Sequence, residues 1–258
     1  MLESLEQSNI KKMSVESPEE QKVLFDPEKD ITEADREKIN ALFMEYRSKT
    51  RTGSENEQSN DRNYLTDIAY RMQELGIPFE MSEDDKTDLE INWTRYREGK
   101  VSSGFTEKTF FMEKLGFPIE LTESDKKMME NEALHVRHWR GGRPTEVATL
   151  AHYMNELGIK FDLTKKEKQY LKKYFQEPRS DQDLGFASIA SHVAYMPDLS
   201  VELSAKDQKE IRAQLESVRQ KGHFWPFIQL ATAMNILSKS SKPELSYDAL
   251  KMPEQKQF

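Results

Sequence analysis

One glutamate and two histidines at helical spacing are the residues of this chain that could bind a metal ion. Glu132, His135 and His138 stand three residues apart in "ENEALHVRHW". A Glu-x-x-His pair supplies metal ligands in some helical bundles, but those sites need a second such pair and further glutamates. The other histidines stand at unrelated positions, and the chain has no cysteine. We therefore expect histidines on a helix surface and neither a metal nor a cofactor.

Motifs for nucleotide binding or nucleophilic catalysis are missing from the sequence. It has no G-x-x-x-x-G-K-[ST], no G-x-G-x-x-G and no G-x-S-x-G. The carboxylates cluster where helices are predicted to begin, and there the helix dipole accounts for them. These observations favour a protein that is not an enzyme.

Arginine and lysine recur beside aromatic residues or valine in "EYRSKTRTG", "RYREGK", "HVRHWRGGR", "YLKKYFQEPR" and "SVRQKG". Cations near a helix C-terminus stabilise its dipole. If these ends lined up along one edge, they would also form a basic ridge that could contact phosphates or an acidic protein, with aromatic side chains for stacking. The candidate contact residues are Arg95, Arg97, Arg137, Arg140 and Arg143, together with Trp139.

A second candidate contact is the aromatic stretch "GHFWPFIQLA". Phe224, Trp225 and Phe227 lie at the start of a predicted helix, and Pro226 suits its first turn. These rings either cover the end of the helical body or anchor a partner, because buried aromatic residues dominate interface energy.

The elements that position these residues follow from a repeat of about 40 residues. A Ser or Thr followed three residues later by an acid is typical of a helix N-cap. Such anchors lie 40 or 42 residues apart, except that 50 residues separate the first two, where the polar stretch "RTGSENEQSNDRN" predicts a loop. The anchors are Thr32, Ser82, Thr122, Thr164 and Ser204, with a weaker one at Ser246.

Each unit reads as helix A, a stop, an extended connector of about five alternating residues and a capped helix B. Gly76, Gly116 and Gly158 end three of the A helices, and Pro197 replaces that ending in the fourth. A single unit cannot bury its own apolar stripe, so neighbouring units must stack. The predicted units are about 62–100, 104–142, 144–180 and 183–222, with half units at 31–50 and 224–238.

Composition sets the domain limits. The net charge is −8, with no cysteine and 33% charged residues. We expect an acidic, disordered leader at 1–21, one helical domain at 22–252 and a frayed tail at 253–258. No run approaches the roughly 20 apolar residues of a membrane span. We therefore expect a soluble, cytoplasmic protein with no membrane contact, whose oligomeric state the sequence leaves open.

The predicted fold is all-α, an elongated or curved stack of helical hairpins with short extended connectors. Stacked repeats offer long surfaces for binding, so we expect a protein-binding or scaffold module whose partner is another protein. The first alternative is an RNA- or DNA-binding protein that uses the basic ridge, although the acidic total opposes it. The second is an enzyme with a site assembled from several repeats.

Overall fold

A computed structural model describes residues 25–52, 54–100, 104–139, 143–176, 185–194, 196, 199 and 203–240. Every regular element in these residues is a helix, which confirms the all-α class. The leader, the tail and Arg140 lie outside them. The helices are α1 (Pro27–Asp30), α2 (Glu33–Lys49), α3 (Glu55–Glu74), α4 (Glu83–Arg97), α5 (Phe105–Lys114), α6 (Glu123–His138), α7 (Pro144–Glu156), α8 (Lys165–Gln176), α9 (Gly185–Val193), α10 (Ala205–Gln220) and α11 (Phe224–Ser240).

Helices α2, α4, α6, α8 and α10 begin directly after the five Ser/Thr anchors. In α6, the backbone N–H of Asp125 donates to the Thr122 hydroxyl oxygen at 3.2 Å, and the Asp125 carboxylate accepts from the Thr122 N–H at 2.8 Å. Thr164 and Glu167 exchange the same two bonds at the start of α8. The two caps are therefore confirmed, because the hydroxyl and the acid satisfy backbone groups that the first turn leaves unpaired.

The connectors after α3, α5 and α7 are extended and join no sheet within the described residues. Gly76 and Gly116 take φ values of +63° and +83°, a left-handed conformation that disfavours other side chains. Beyond the glycines, Ile77, Phe117 and Ile159 turn back into the core, where each is at most 8% exposed. The connectors thus contribute apolar side chains without forming strands.

One predicted loop is wrong. The stretch "RTGSENEQSNDRN" contains the first turns of α3, which begins at Glu55 after a Ser54–Glu57 capping box. These turns carry no apolar stripe because their contacts are polar. The buried Ser59 hydroxyl donates to Asn92 Oδ1 at 3.0 Å, across to α4.

The inner helices, α3, α5, α7, α9 and α11, pack side by side in chain order, and α11 then packs against α3. Hydrogen bonds join their C-terminal ends: Gln73 of α3 donates to the Lys114 carbonyl, and Asn235 of α11 donates to the Glu74 carbonyl. The inner helices therefore run parallel in a closed ring. The outer helices, α2, α4, α6, α8 and α10, pack on the ring from outside.

Ring closure overturns the expectation of an elongated stack with free ends. The N-terminal segment also joins the last helix, because the Phe25 N–H donates to Ser238 Oγ at 2.8 Å. Phe25, Ile31, Ile228 and Leu237 belong to one core cluster. An open stack would leave an apolar flank exposed at each end, and here the two flanks cover each other.

Candidate functional site

The Glu132–His135–His138 set is not arranged as a metal site. The two Glu132 carboxylate oxygens accept from the backbone N–H groups of Gly104 and Thr106 at the start of α5. The His135 ring stacks on Trp139, with centroids 5.9 Å apart. The described part of the chain holds no group of three or more His, Asp or Glu side chains placed to share a metal ion.

The arginines near the ends of the outer helices are paired with acids, whereas the predicted basic ridge required them to be available to a partner. Four of them reach the capping acid at the start of the next outer helix. Arg97 donates from Nε and Nη2 to Asp125 at 2.9 and 2.7 Å, and Arg137 donates to Glu167 at 2.8 and 3.1 Å. The same contact joins Arg47 to Asp85 and Arg219 to Asp35.

These four head-to-tail ion pairs are inter-helix connections, and they explain why cations and acids recur at opposite ends of the outer helices. Although burial acts to raise the pKa of Asp125, hydrogen bonds from Thr122 and Arg97 leave it lowered. The pKa of Glu167 is lowered against the same effect by Arg137 and Thr164. Both acids are thus held in the ionised form that the pairs require.

The spacing between the anchors and the arginines in the sequence indicates these ion pairs. An arginine stands fifteen residues after every anchor, at Arg47, Arg97, Arg137, Arg179 and Arg219. Arg179 lies outside the described residues. The sequence interpretation grouped these arginines with their aromatic neighbours rather than by their distance from the anchors. The acidic partner of each described arginine lies at the start of another outer helix.

The other two described arginines of the predicted ridge also form ion pairs. Arg95 pairs with Glu55 at 2.7 Å and is itself mostly buried. Arg143 pairs with Glu146 on the same helix at 2.7 Å and stays exposed. The ridge of unpaired cations that the sequence suggested is therefore replaced by ion pairs wherever the structure describes its arginines.

The aromatic stretch at the start of α11 closes the ring. Phe227 is fully buried, and the Arg219 guanidinium lies 5.0 Å from its ring centroid. Trp225 meets Tyr64 of α3 edge-on at 5.3 Å, and Phe224 lies 4.7 Å below the Lys38 ammonium of α2. These rings cover the junction between the first and last helices. Phe227 in particular offers no surface to a partner.

Trp139 is the predicted aromatic contact residue that is exposed at the surface. Its side chain, at the C-terminal end of α6, is 59% exposed, and Leu134 one turn earlier is 38% exposed. Arg137, two residues before it, donates to the Asp162 carbonyl and to Glu167. The C-terminal end of α6, which carries Trp139, therefore lies near the start of α8.

Lysines line an open depression of about 400 Å³ on α8. Lys165, Lys168 and Lys172 follow helical spacing along one face, and Leu163 of the preceding connector lies at its base. The sequence interpretation had considered the cations of this helix only in its last turn. The periodicity of the lysines indicates a cationic face. The approach of the α6 end that carries Trp139 follows only from the Arg137–Glu167 contact.

Together, the described residues define an all-α protein in which a closed ring of helices carries an exposed Trp139 at the end of α6 and a lysine-lined depression on α8. Comparison with known family models, with curated proteins and with solved structures finds no significant match to this chain. No helix of the described part has the length and apolar character needed to cross a bilayer.

Proposed function

We propose that this chain is a non-enzymatic protein-binding module built from helical-hairpin repeats of about 40 residues. Its contact surface is the Trp139 face, which we define as Trp139 and the α8 lysines Lys165, Lys168 and Lys172. The observation that carries the proposal is the exposure of Trp139, 59%, at the end of α6, where Arg137 contacts the start of the lysine-bearing helix α8. We further propose that the module acts in the cytoplasm.

The chemistry of the Trp139 face favours a protein partner. Tryptophan is enriched among the residues that dominate interface energy, and such residues sit within a rim of polar side chains. The lysines would supply that rim. In a chain with a net charge of −8, a local cationic face also orients an acidic partner by electrostatic complementarity. The partner that fits is a protein segment with an apolar side chain flanked by Asp or Glu.

Nucleic acid is the weaker alternative. The described arginines that would have formed a phosphate-binding ridge are paired with Asp or Glu, which weakens a phosphate-binding role. A single exposed tryptophan provides no row of stacking platforms for successive bases.

The test is a comparison of variants in extracts from the native cell. The immobilised wild-type chain captures a partner in stoichiometric amounts, with and without nuclease. Because truncating a central interface residue costs on the order of 2 kcal/mol or more, Trp139→Ala is expected to weaken the Kd of the purified pair by more than tenfold. Lys165→Glu with Lys172→Glu should slow association, most strongly at low salt.

Ile91→Ala is the matched control, because Ile91 is an exposed apolar residue of α4, 47% exposed and outside the Trp139 face. It should leave the Kd unchanged. The proposal fails if Trp139→Ala binds as tightly as Ile91→Ala. Capture that disappears with nuclease would instead support the nucleic-acid alternative.

A further inference from the structure

Polar side chains from four inner helices converge inside the ring. Arg71, Tyr153 and His192 lie on α3, α7 and α9, and Asp67 and Glu107 lie one turn nearer the N-terminal end of the ring, on α3 and α5. The Tyr153 and His192 rings are 5.1 Å apart. We call these five residues the central cluster. They lie outside the Trp139 face and have no role in the proposed function.

An aromatic layer forms one wall of the central cluster. Tyr70 stacks on Phe111 with centroids 4.4 Å apart, and Phe110 stacks on Tyr153 at 4.6 Å. Phe110 and Phe111 are at most 2% exposed. Hydrogen bonds and charges at such a wall are poorly screened by water, so they act more strongly than at an open surface.

The other side of the cluster is open to solvent. The Glu107 side chain is 37% exposed, although its surroundings desolvate it enough to raise its pKa. Thr149 of α7 is half-buried and Ser188 of α9 is exposed, one turn before Tyr153 and His192. The cluster is therefore accessible to solvent from the N-terminal end of the ring.

Several donors in the cluster have no partner within the described part of the chain. Arg71 donates from Nε to Asp67 at 2.9 Å, which leaves its two terminal nitrogens without a described hydrogen bond. The Tyr153 hydroxyl and the His192 ring likewise make none, although Tyr153 is only 4% exposed. Arg71 and His192 are only partly buried, so their donors can be reached from solvent. This set of donors is therefore suited to an acceptor from outside the chain.

The ionisation states make the cluster receptive to one negative charge. Burial raises the pKa of Tyr153 well above its ordinary value and lowers the pKa of His192 well below it, so both side chains are neutral near pH 7. Arg71 and the adjacent Lys108 are cations, and Asp67 balances one of them. Burial raises the pKa of Glu107, which weakens the negative charge that this carboxyl group would set against an anion.

We propose that the central cluster binds a small monocarboxylate with an apolar body. The two carboxylate oxygens accept from the terminal nitrogens of Arg71 in the bidentate geometry that guanidinium groups favour, and the Tyr153 hydroxyl and the His192 ring N–H supply further donors. The aromatic layer contacts the apolar body. Phosphate fits less well, because its charge of about −1.5 to −2 would face Asp67 and Glu107.

The test uses benzoate as the probe, with benzamide as its neutral counterpart and inorganic phosphate as the competing oxyanion. The ring resonances of His192 are followed by NMR and assigned with a His192→Gln variant. The exposed His223 serves as the internal reference. Benzoate should shift the His192 signals to saturation and leave those of His223 in place. Benzamide and phosphate should each bind at least tenfold more weakly.

Tyr153→Phe removes only a hydroxyl that has no described partner, so it should fold normally. It should weaken benzoate binding about tenfold, as expected for a lost hydrogen bond to a charged group. Tyr64→Phe, on the outer side of α3 and 42% exposed, is the matched control and should change nothing. The proposal is overturned if benzamide binds as well as benzoate, if His192 does not respond, or if Tyr153→Phe binds like the control.

Discussion

The Arg219–Asp35 pair joins the last outer helix to the first and gives the sharpest test of the closed ring. Arg219 Nη2 lies 3.1 Å from Asp35 Oδ2 and also donates to the Asp30 carbonyl. The side chains are 20% and 4% exposed. If the chain were an open stack in solution, these residues would lie at opposite ends and the pair would not form.

Arg219→Met is the perturbation, because methionine retains an apolar stem over Phe227 and removes the charge. Breaking a buried ion pair by removing one partner costs about 3–5 kcal/mol. Two features reduce that figure here: Arg219 is one-fifth exposed, and Asp35 keeps its hydrogen bonds from the N–H and hydroxyl of Thr32. The substitution also removes the buried Nε of Arg219, which has no hydrogen-bond partner, so the cost of desolvating this atom disappears. We expect a loss of about 2 kcal/mol in the free energy of unfolding.

The measurement is urea unfolding, combined with hydrogen exchange of the backbone amides. Arg143→Met is the matched control, because it breaks the exposed Arg143–Glu146 pair, whose side chains are 72% and 48% exposed. Exposed pairs of this kind contribute at most about 1 kcal/mol. In Arg219→Met, exchange should rise in both α10 and α2, which the pair holds together.

Equal unfolding free energies for Arg219→Met and Arg143→Met would refute the reasoning. So would faster exchange confined to α10, since a closed ring must transmit the loss to both of its joined ends. Arg97→Met breaks a pair between consecutive outer helices. Its free energy of unfolding shows how much an equivalent ion pair contributes when the pair does not close the ring.

Three further outcomes follow from local geometry and burial. Thr122→Ala should lower the free energy of unfolding by about 1 kcal/mol in urea titrations, whereas Thr122→Ser should nearly restore it, because only the hydroxyl makes the cap. Gly116→Ala should lower the melting temperature, since φ at this residue is +83° and a β-carbon is strained there, so a neutral or stabilising effect would contradict the turn geometry. Burial lowers the pKa of His152 to about 4, so its contribution to stability is complete above its unfolded pKa near 6.5 and is lost as pH falls toward 4. At pH 5 that loss is about 2 kcal/mol, and His152→Gln should flatten this part of the stability–pH curve relative to wild type.

The sequence by itself determined the local elements. A Ser or Thr followed three residues later by an acid defines an N-cap through hydrogen bonds within one turn, so Thr122 and Thr164 could be assigned without any knowledge of their neighbours. Gly76 and Gly116 marked helix ends for an equally local reason. The polar start of α3 escaped detection because its stabilising contacts with α4 are polar and leave no apolar period.

Only the tertiary structure decided how the elements meet. The sequence is equally compatible with like ends aligned on one edge and with each end meeting the next start, because both arrangements use the same cations and acids. The structure has the second arrangement, in which Arg97 donates to Asp125. Closure is also a global property: α11 packs on α3, and Arg219 reaches Asp35, because the ring returns to its origin after five inner helices. The central cluster and the exposure of Trp139 both depend on that path, so residue spacing alone could not reveal them.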